Sequence, residues 1–166
     1  EAALARLCGW AASAERNGSQ LRLGKNGKRI TVRFICADLA RDLEQALERG
    51  ADLYTASALF DLVSDDFIVA LAAQVARRRA AFFTVLTYNG VQRWTPRHEA
   101  DGAMASAFRA HQTGDKGFGQ AAGPIAPALL AAAFDEAGHT VTEGDSAWLL
   151  EAGDEPLIEA VAAGFA

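Results

Sequence analysis

A chain of 166 residues is long enough for one compact domain, and 51% hydrophobic with 22% charged residues excludes a disordered or collagen-like polymer. Sixteen Lys and Arg against twenty-one Asp and Glu leave a net charge of −5, a field that opposes nonspecific phosphate-backbone binding, so no nucleic-acid partner is expected. Cys8 and Cys36 share no metal-ligand spacing and form no disulfide framework, and no apolar run reaches the roughly twenty residues that span a bilayer. The expectation is a cytoplasmic chain with reduced thiols, no metal and no membrane partner.

In chain order, leucines and alanines at helical spacing predict a helix from Glu1 to Arg16, stopped by Asn17-Gly18. Gly24 to Gly27 supplies turn chemistry, and Ile30 to Cys36 is a β-branched, apolar run that predicts a buried strand. A short helix from Asp42 to Arg49 closes at Gly50, and a strand follows over Leu53 to Ala56. Ser64 is a helix cap, with Asp65 and Asp66 in the first turn and apolar positions from Phe67 to Val75. Arg77, Arg78 and Arg79 close that helix, where cations meet the carbonyl end of its dipole. The continuously apolar "AAFFTVLTY" predicts a strand covered on both faces, parallel to the preceding one.

Asn89-Gly90 is a two-residue hairpin signal, returning the chain through "VQRW". Helices are predicted over Glu99 to Ala110 and Pro124 to Ala137, the second stopped by Gly138; between them lies "HQTGDKGFG". "HTVTEGDSAWLLEAG" alternates like two antiparallel strands about Gly144-Asp145, and Asp154 caps a final helix to about Ala163. The alternation predicts a single α/β domain over 1–166: a Rossmann-like, doubly wound, mostly parallel sheet ending in an antiparallel hairpin.

"ADLYTASALFDLVSDDFIVALA" resembles the fourth strand and following loop of class I S-adenosylmethionine-dependent methyltransferases, and "ICADLA" resembles that family's third strand with an acid at its end. "HQTGDKGFG" followed by "GP" and an alanine-rich helix is similar to a bacterial branch of small methyltransferase-like proteins. The family's first strand, glycine-rich turn and second strand do not precede Glu1, and the only methionine is Met104. The resemblance therefore implies an N-terminally incomplete domain missing two strands. Such a domain either keeps a destabilising gap in its sheet or closes it by pairing Ile30–Cys36 beside Leu53–Ala56.

The resemblance implies methyl transfer from S-adenosylmethionine to a small-molecule acceptor. Asp38 matches the position contacting the adenine amino group, beside Leu39; a helix cap is the competing reading of Asp38. Ser57, Ala58 and Leu59 match the loop beside the methionine portion. Topology sets the stretch from Tyr88 to Pro124 above the carboxyl ends of the strands, where ligands of doubly wound sheets bind. His111 is a candidate general base, or a cation satisfying a helix end. Asp115 is the second catalytic candidate. Asp61, Tyr88, Gln112, Lys116 and Phe118 are candidates for substrate contact, with solvated or packing roles as their alternatives. A noncatalytic binding module and another nucleotide-dependent enzyme, such as a nicotinamide-dependent one, stand as rival functions.

Overall fold

The computed structural model of the protein describes residues 2–85 and 87–165. Glu1 and Leu86, which the expected first helix and the expected apolar strand included, lie outside the described residues. The chain divides into two compact units, residues 1–42 and 43–166.

The first unit opens with helix α1 (Ala2–Trp10), followed by strands β1 (Ser13–Asn17), β2 (Gln20–Lys25) and β3 (Lys28–Arg33) in an antiparallel meander. The expected helix to Arg16 is thus shorter, because Ser13 to Asn17 is claimed by pairing with β2, with Asn17 opposite Gln20 across the Gly18-Ser19 turn. The turn between β2 and β3 is Asn26-Gly27, with φ of 51° and 73°. Two consecutive positive-φ residues match the twist of a tight hairpin. That connection also decides the strand's partner: a two-residue loop permits antiparallel pairing alone, since a parallel neighbour needs a crossover of a dozen residues or more. The predicted strand Ile30–Cys36 accordingly ends at Arg33 and pairs with β2, not beside Leu53–Ala56.

Helix α2 (Leu39–Leu47) runs across the boundary between the units and is kinked at Asp42, where φ is −113° and ψ 24°. Asp38 begins it: Oδ1 accepts from the Ala40 amide at 3.1 Å, and Oδ2 lies 3.6 Å from the Arg41 guanidinium.

The second unit is built on β4 (Leu53–Ser57), α3 (Asp65–Arg77) and β5 (Ala81–Val85), with β4 and β5 parallel and in register from Leu53 opposite Ala81 to Ser57 opposite Val85. Ser64 caps α3, its Oγ accepting from the Phe67 amide at 3.3 Å. Phe67, Ile68, Leu71, Ala72 and Val75 form the buried face of α3. Against it packs α5 (Ala126–Glu136), which buries Leu130 and Phe134. The Phe82 ring stacks on Phe134 at 4.5 Å and meets Phe60 edge-on at 5.7 Å. Each such apolar side chain contributes roughly 1.5–3 kcal/mol on full burial, so this aromatic and aliphatic cluster is the main cohesive element of the unit. Helix α4 (Asp101–Gln112) lies in the excursion between β5 and α5, and α6 (Glu155–Phe165) ends the chain.

The expected doubly wound, mostly parallel sheet is not what forms. The described residues hold a three-stranded antiparallel sheet and a separate two-stranded parallel pair. The terminal antiparallel hairpin is also absent: residues 139–150 have no strand among the described residues, although Asp145 makes a tight turn by accepting from the Ala147 amide at 2.9 Å. After Asn89-Gly90 no return strand forms either; the Asn89 side chain accepts from Val91 N at 3.0 Å and Gly90 keeps φ at 81°. Nor is the β5 run covered on both faces, since Phe83 is 57% exposed and its neighbour strand's Leu53 is 52% exposed. Alternation turns Phe82 inward and Phe83 outward, and an apolar run specifies a strand without supplying a second layer to cover it.

Candidate functional site

The segments that leave the carboxyl ends of β4 and β5 converge on an open cleft of about 980 Å³. Ser64, Asp65 and Asp66, at the start of α3, line one side; Asn89 and Gly90, beyond β5, contribute another. Arg109 and Thr113 come from the last turn of α4 and its cap, and Phe118 to Ala122 complete the wall with Pro124 and Ile125. Close backbone approach shapes the cleft. A Cβ on Gly90 would lie 2.8 Å from the Pro124 Cβ, and one on Gly123 would lie 3.0 Å from Thr113 Cγ2.

"HQTGDKGFG" therefore forms part of a cleft wall, through Thr113, Phe118 and Gly119. Its own hydrogen bonds explain its shape. Asp115 Oδ1 accepts from the amides of Gly117 at 2.7 Å and Gly119 at 3.1 Å, wrapping the carboxylate around a turn with positive φ at both glycines. Lys116 Nζ lies 3.2 Å from His111 Nε2, and both side chains are exposed. Phe118 packs edge-on against Phe67 with centroids 5.0 Å apart, which anchors the loop to α3.

Asp61 sits in a single turn of 3-10 helix over Phe60–Leu62, and it is the one buried acid among the described core residues. Burial pushes its carboxyl above the ordinary value of 3.8, while hydrogen bonds from its own amide and from the amide of Tyr88 offset part of that rise. The exits of β4 and β5 are thereby linked through one side chain. The Tyr88 ring meets Phe108 edge-on at 5.3 Å. Burial raises the Tyr88 phenol, and the positive charge of Arg109 opposes the rise. Tyr88 Oη and Gln112 Oε1 are buried with no hydrogen-bond partner among the described residues. A buried polar atom left so costs on the order of 1–3 kcal/mol unless a ligand or water satisfies it.

Of the residues singled out in the sequence as site candidates, Phe118 alone lines the cleft; Asp61 meets the Tyr88 amide, and Asp61, Tyr88 and Gln112 are not in the lining. His111 and Lys116 pair with each other and Asp115 bonds the amides of its own turn; all three are exposed and lie outside the cleft lining. Ser57 ends β4; Ala58 has φ of 52° and donates to the Val85 carbonyl at 3.3 Å, with half-buried Leu59 next to it. Asp38 and Leu39 belong to the first unit, where Asp38 starts α2. Sequence reasoning missed Arg109 and Thr113 as cleft residues. Their spacing of four on one helix was the available signal, since it sets both on a single face. Asp65 and Asp66 were read as dipole partners of α3, a role that leaves their carboxylates free to face the cleft.

Cys8 and Cys36 are free thiols. No helix of the described residues is long and apolar enough to cross a membrane, and no group of three His, Cys, Asp or Glu among them is placed to hold a metal ion. No protein-family model, curated protein or solved structure matches the chain significantly.

Proposed function

We propose that the cleft of the second unit is a small-molecule site and that the reaction it serves is methyl transfer from S-adenosylmethionine. The supporting observation is its position beyond the carboxyl ends of two parallel strands, lined by the segments that leave both of them. Parallel α/β units present loops and helix N-termini to ligands at that end. The proposal does not rest on a doubly wound sheet.

The donor set fits the cofactor's chemistry. The Arg109 guanidinium suits its carboxylate, and Asp65 or Asp66 suits its ammonium or ribose hydroxyls. A volume of about 980 Å³ accommodates it together with a small acceptor. The cofactor supplies an activated methyl group. The chain's own part is to orient the acceptor and exclude water, which is where most of the rate of an in-line displacement arises. Phe118 gives the acceptor an apolar wall, and Asn89, Thr113 and Gln120 are the uncharged polar side chains beside it in the lining. The two free thiols agree with a reducing, cytoplasmic setting.

Calorimetric titration of the full-length protein with S-adenosylhomocysteine and, separately, with NADH tests the reading. Binding of S-adenosylhomocysteine that weakens about tenfold or more in Arg109→Met supports it, as loss of a charge-assisted pair at about 1.5–3 kcal/mol requires. Binding of NADH alone ends it. A second reading, a noncatalytic binding module, is favoured by one observation: Asp115 spends its Oδ1 on the amides of its own loop. It predicts ligand binding to the cleft with no turnover in any Asp115 or His111 variant or in the parent.

A further inference from the structure

Charge is unevenly divided between the two units. Residues 1–42 carry eight Lys and Arg against four Asp and Glu, whereas residues 43–166 carry eight against seventeen. Within the first unit the strand register sorts these charges by face, because residues directly opposite in an antiparallel pair share a face and successive residues alternate. Leu21 and Leu23 are buried, with Ala14, Ile30 and Val32 on their face of the sheet. The opposite face is polar throughout. There Arg22 stands between Glu15 and Thr31, Arg33 is opposite Gln20, and Arg29 is opposite Gly24. Arg22, Arg29 and Arg33 are all exposed, and among the described residues no ion pair or side-chain hydrogen bond engages them.

We propose that this three-arginine sheet face binds the phosphodiester backbone of nucleic acid without reading its sequence. Arg29 and Arg33 lie four residues apart on β3, about 13 Å along the strand, and Arg22 sits diagonally between them on β2. Three guanidinium forks, each suited to bidentate contact with phosphate oxygens, thus lie along one strip. Thr31, Gln20, Asn17 and Ser13, with Glu15 and Gly24, fill the rest of the face.

An acidic protein partner is the rival occupant, and the composition of the face argues against it. Protein interfaces centre on aromatic and apolar anchors with charge depleted at the core, and this face has none. Interfaces with nucleic acid are polar and positively charged. The lack of an aromatic ring also removes base stacking, so contact falls on phosphates and is indifferent to sequence. The overall charge of −5 does not oppose this at close range, since charges farther than about 8 Å are largely screened at physiological salt.

The test is fluorescence anisotropy of labelled oligothymidylate with the full-length protein. Three phosphates at about 0.7 released counterions each predict a log–log salt slope of about −2, or roughly twentyfold weaker binding for a fourfold rise in salt. Arg22→Gln/Arg29→Gln/Arg33→Gln is expected to weaken binding by about tenfold or more at low salt. Glu15→Gln, which removes the one acid of the face, is expected to tighten it, and Arg93→Gln in the second unit to leave it unchanged. Oligocytidylate is expected to bind equally. No binding at low salt, a preference between the two oligomers, or tighter binding of polyglutamate than of oligothymidylate overturns the proposal. Should the triple variant lose its strand signal in circular dichroism, Glu15→Gln decides alone, and an unchanged affinity there overturns the proposal too.

Discussion

The backbone amide of Tyr88 donates to the buried carboxyl group of Asp61, so the turn that leaves β4 is tied to the segment that leaves β5. The mouth between two parallel strands is held by an acid that burial disfavours in its charged form. That conflict has measurable consequences.

The carboxyl of Asp61 titrates above its ordinary 3.8 in the folded chain, desolvation being the larger cause. Between 3.8 and the raised folded value the native state holds the proton more tightly than the unfolded state. Asp61 therefore makes stability fall as pH rises through that window and contributes no further slope above it. Asp61→Asn keeps an acceptor oxygen without the charge. Urea denaturation across the acid range is expected to show that slope reduced in Asp61→Asn, with neutral-pH stability equal to or above the parent. Asp61→Ala leaves the Tyr88 amide unpaired and is expected to cost about 1–3 kcal/mol.

Asp115 offers a clean separation of structural and chemical roles. Its Oδ1 accepts from Gly117 and Gly119, and a carboxamide oxygen can do the same. If the residue acts by shaping the loop, Asp115→Asn retains near-parental turnover and Asp115→Ala loses it along with amide protection at Gly117 and Gly119 in hydrogen exchange. Equal loss of turnover in both variants, with the loop still protected in Asp115→Asn, assigns the carboxylate to the chemistry instead.

Gly90 has no room for a side chain. With φ at 81° and a Cβ position 2.8 Å from the Pro124 Cβ, Gly90→Ala must both strain the backbone and push apart two walls of the cleft. An expected loss of about 1–3 kcal/mol in thermal or urea unfolding accompanies weaker ligand binding. Gly102→Ala, on a helix with nothing within 4 Å of the added methyl, is the control and is expected to be neutral or stabilising.

Arg78 joins two helix ends. Its guanidinium donates to the Leu47 carbonyl at 2.9 Å and the Gln74 carbonyl at 3.0 Å, reaching the Glu44 carbonyl at 3.5 Å, so it satisfies the C-terminal carbonyls of α2 while remaining at the end of α3. A lysine cannot reproduce that fork. Arg78→Lys is expected to cost about 1–2 kcal/mol and Arg78→Met more, whereas Arg79→Met, whose neighbours show no comparable bond, is expected to change stability by less than about 0.5 kcal/mol in the same urea titration.

Local chemistry is legible in the amino-acid sequence. Ser64 with Asp65 and Asp66 announced the start of α3, the spacing of Phe67, Leu71 and Val75 announced its buried face, and two strands flanking one helix announced the parallel pair. Gly50 and Gly138 marked helix ends and do take positive φ, at 67° and 89°. These signals work because caps, turns and helical spacing act over a few residues, within reach of the chain's own backbone.

What the sequence could not supply was the identity of partners distant along the chain. The run after Asn26-Gly27 is extended only to Arg33 and is largely exposed where a buried strand was expected, and its neighbour was decided by the two-residue turn and the availability of β2. "HTVTEGDSAWLLEAG" alternates like two antiparallel strands about Gly144-Asp145, yet residues 139–150 form no strand among the described residues. Asp61 and Tyr88 meet, and Arg109 lines a cleft with Asp65, only because α3 carries the chain back to the start of β5, so that β5 runs parallel to β4 and leaves at the same end. Sequence by itself determined the conformations that local sterics and hydrogen bonds enforce. Tertiary structure alone decided which strand edges were taken, which faces stayed open and which charges gathered, since those depend on long-range contacts whose stabilisation must exceed the entropy of closing the chain between them.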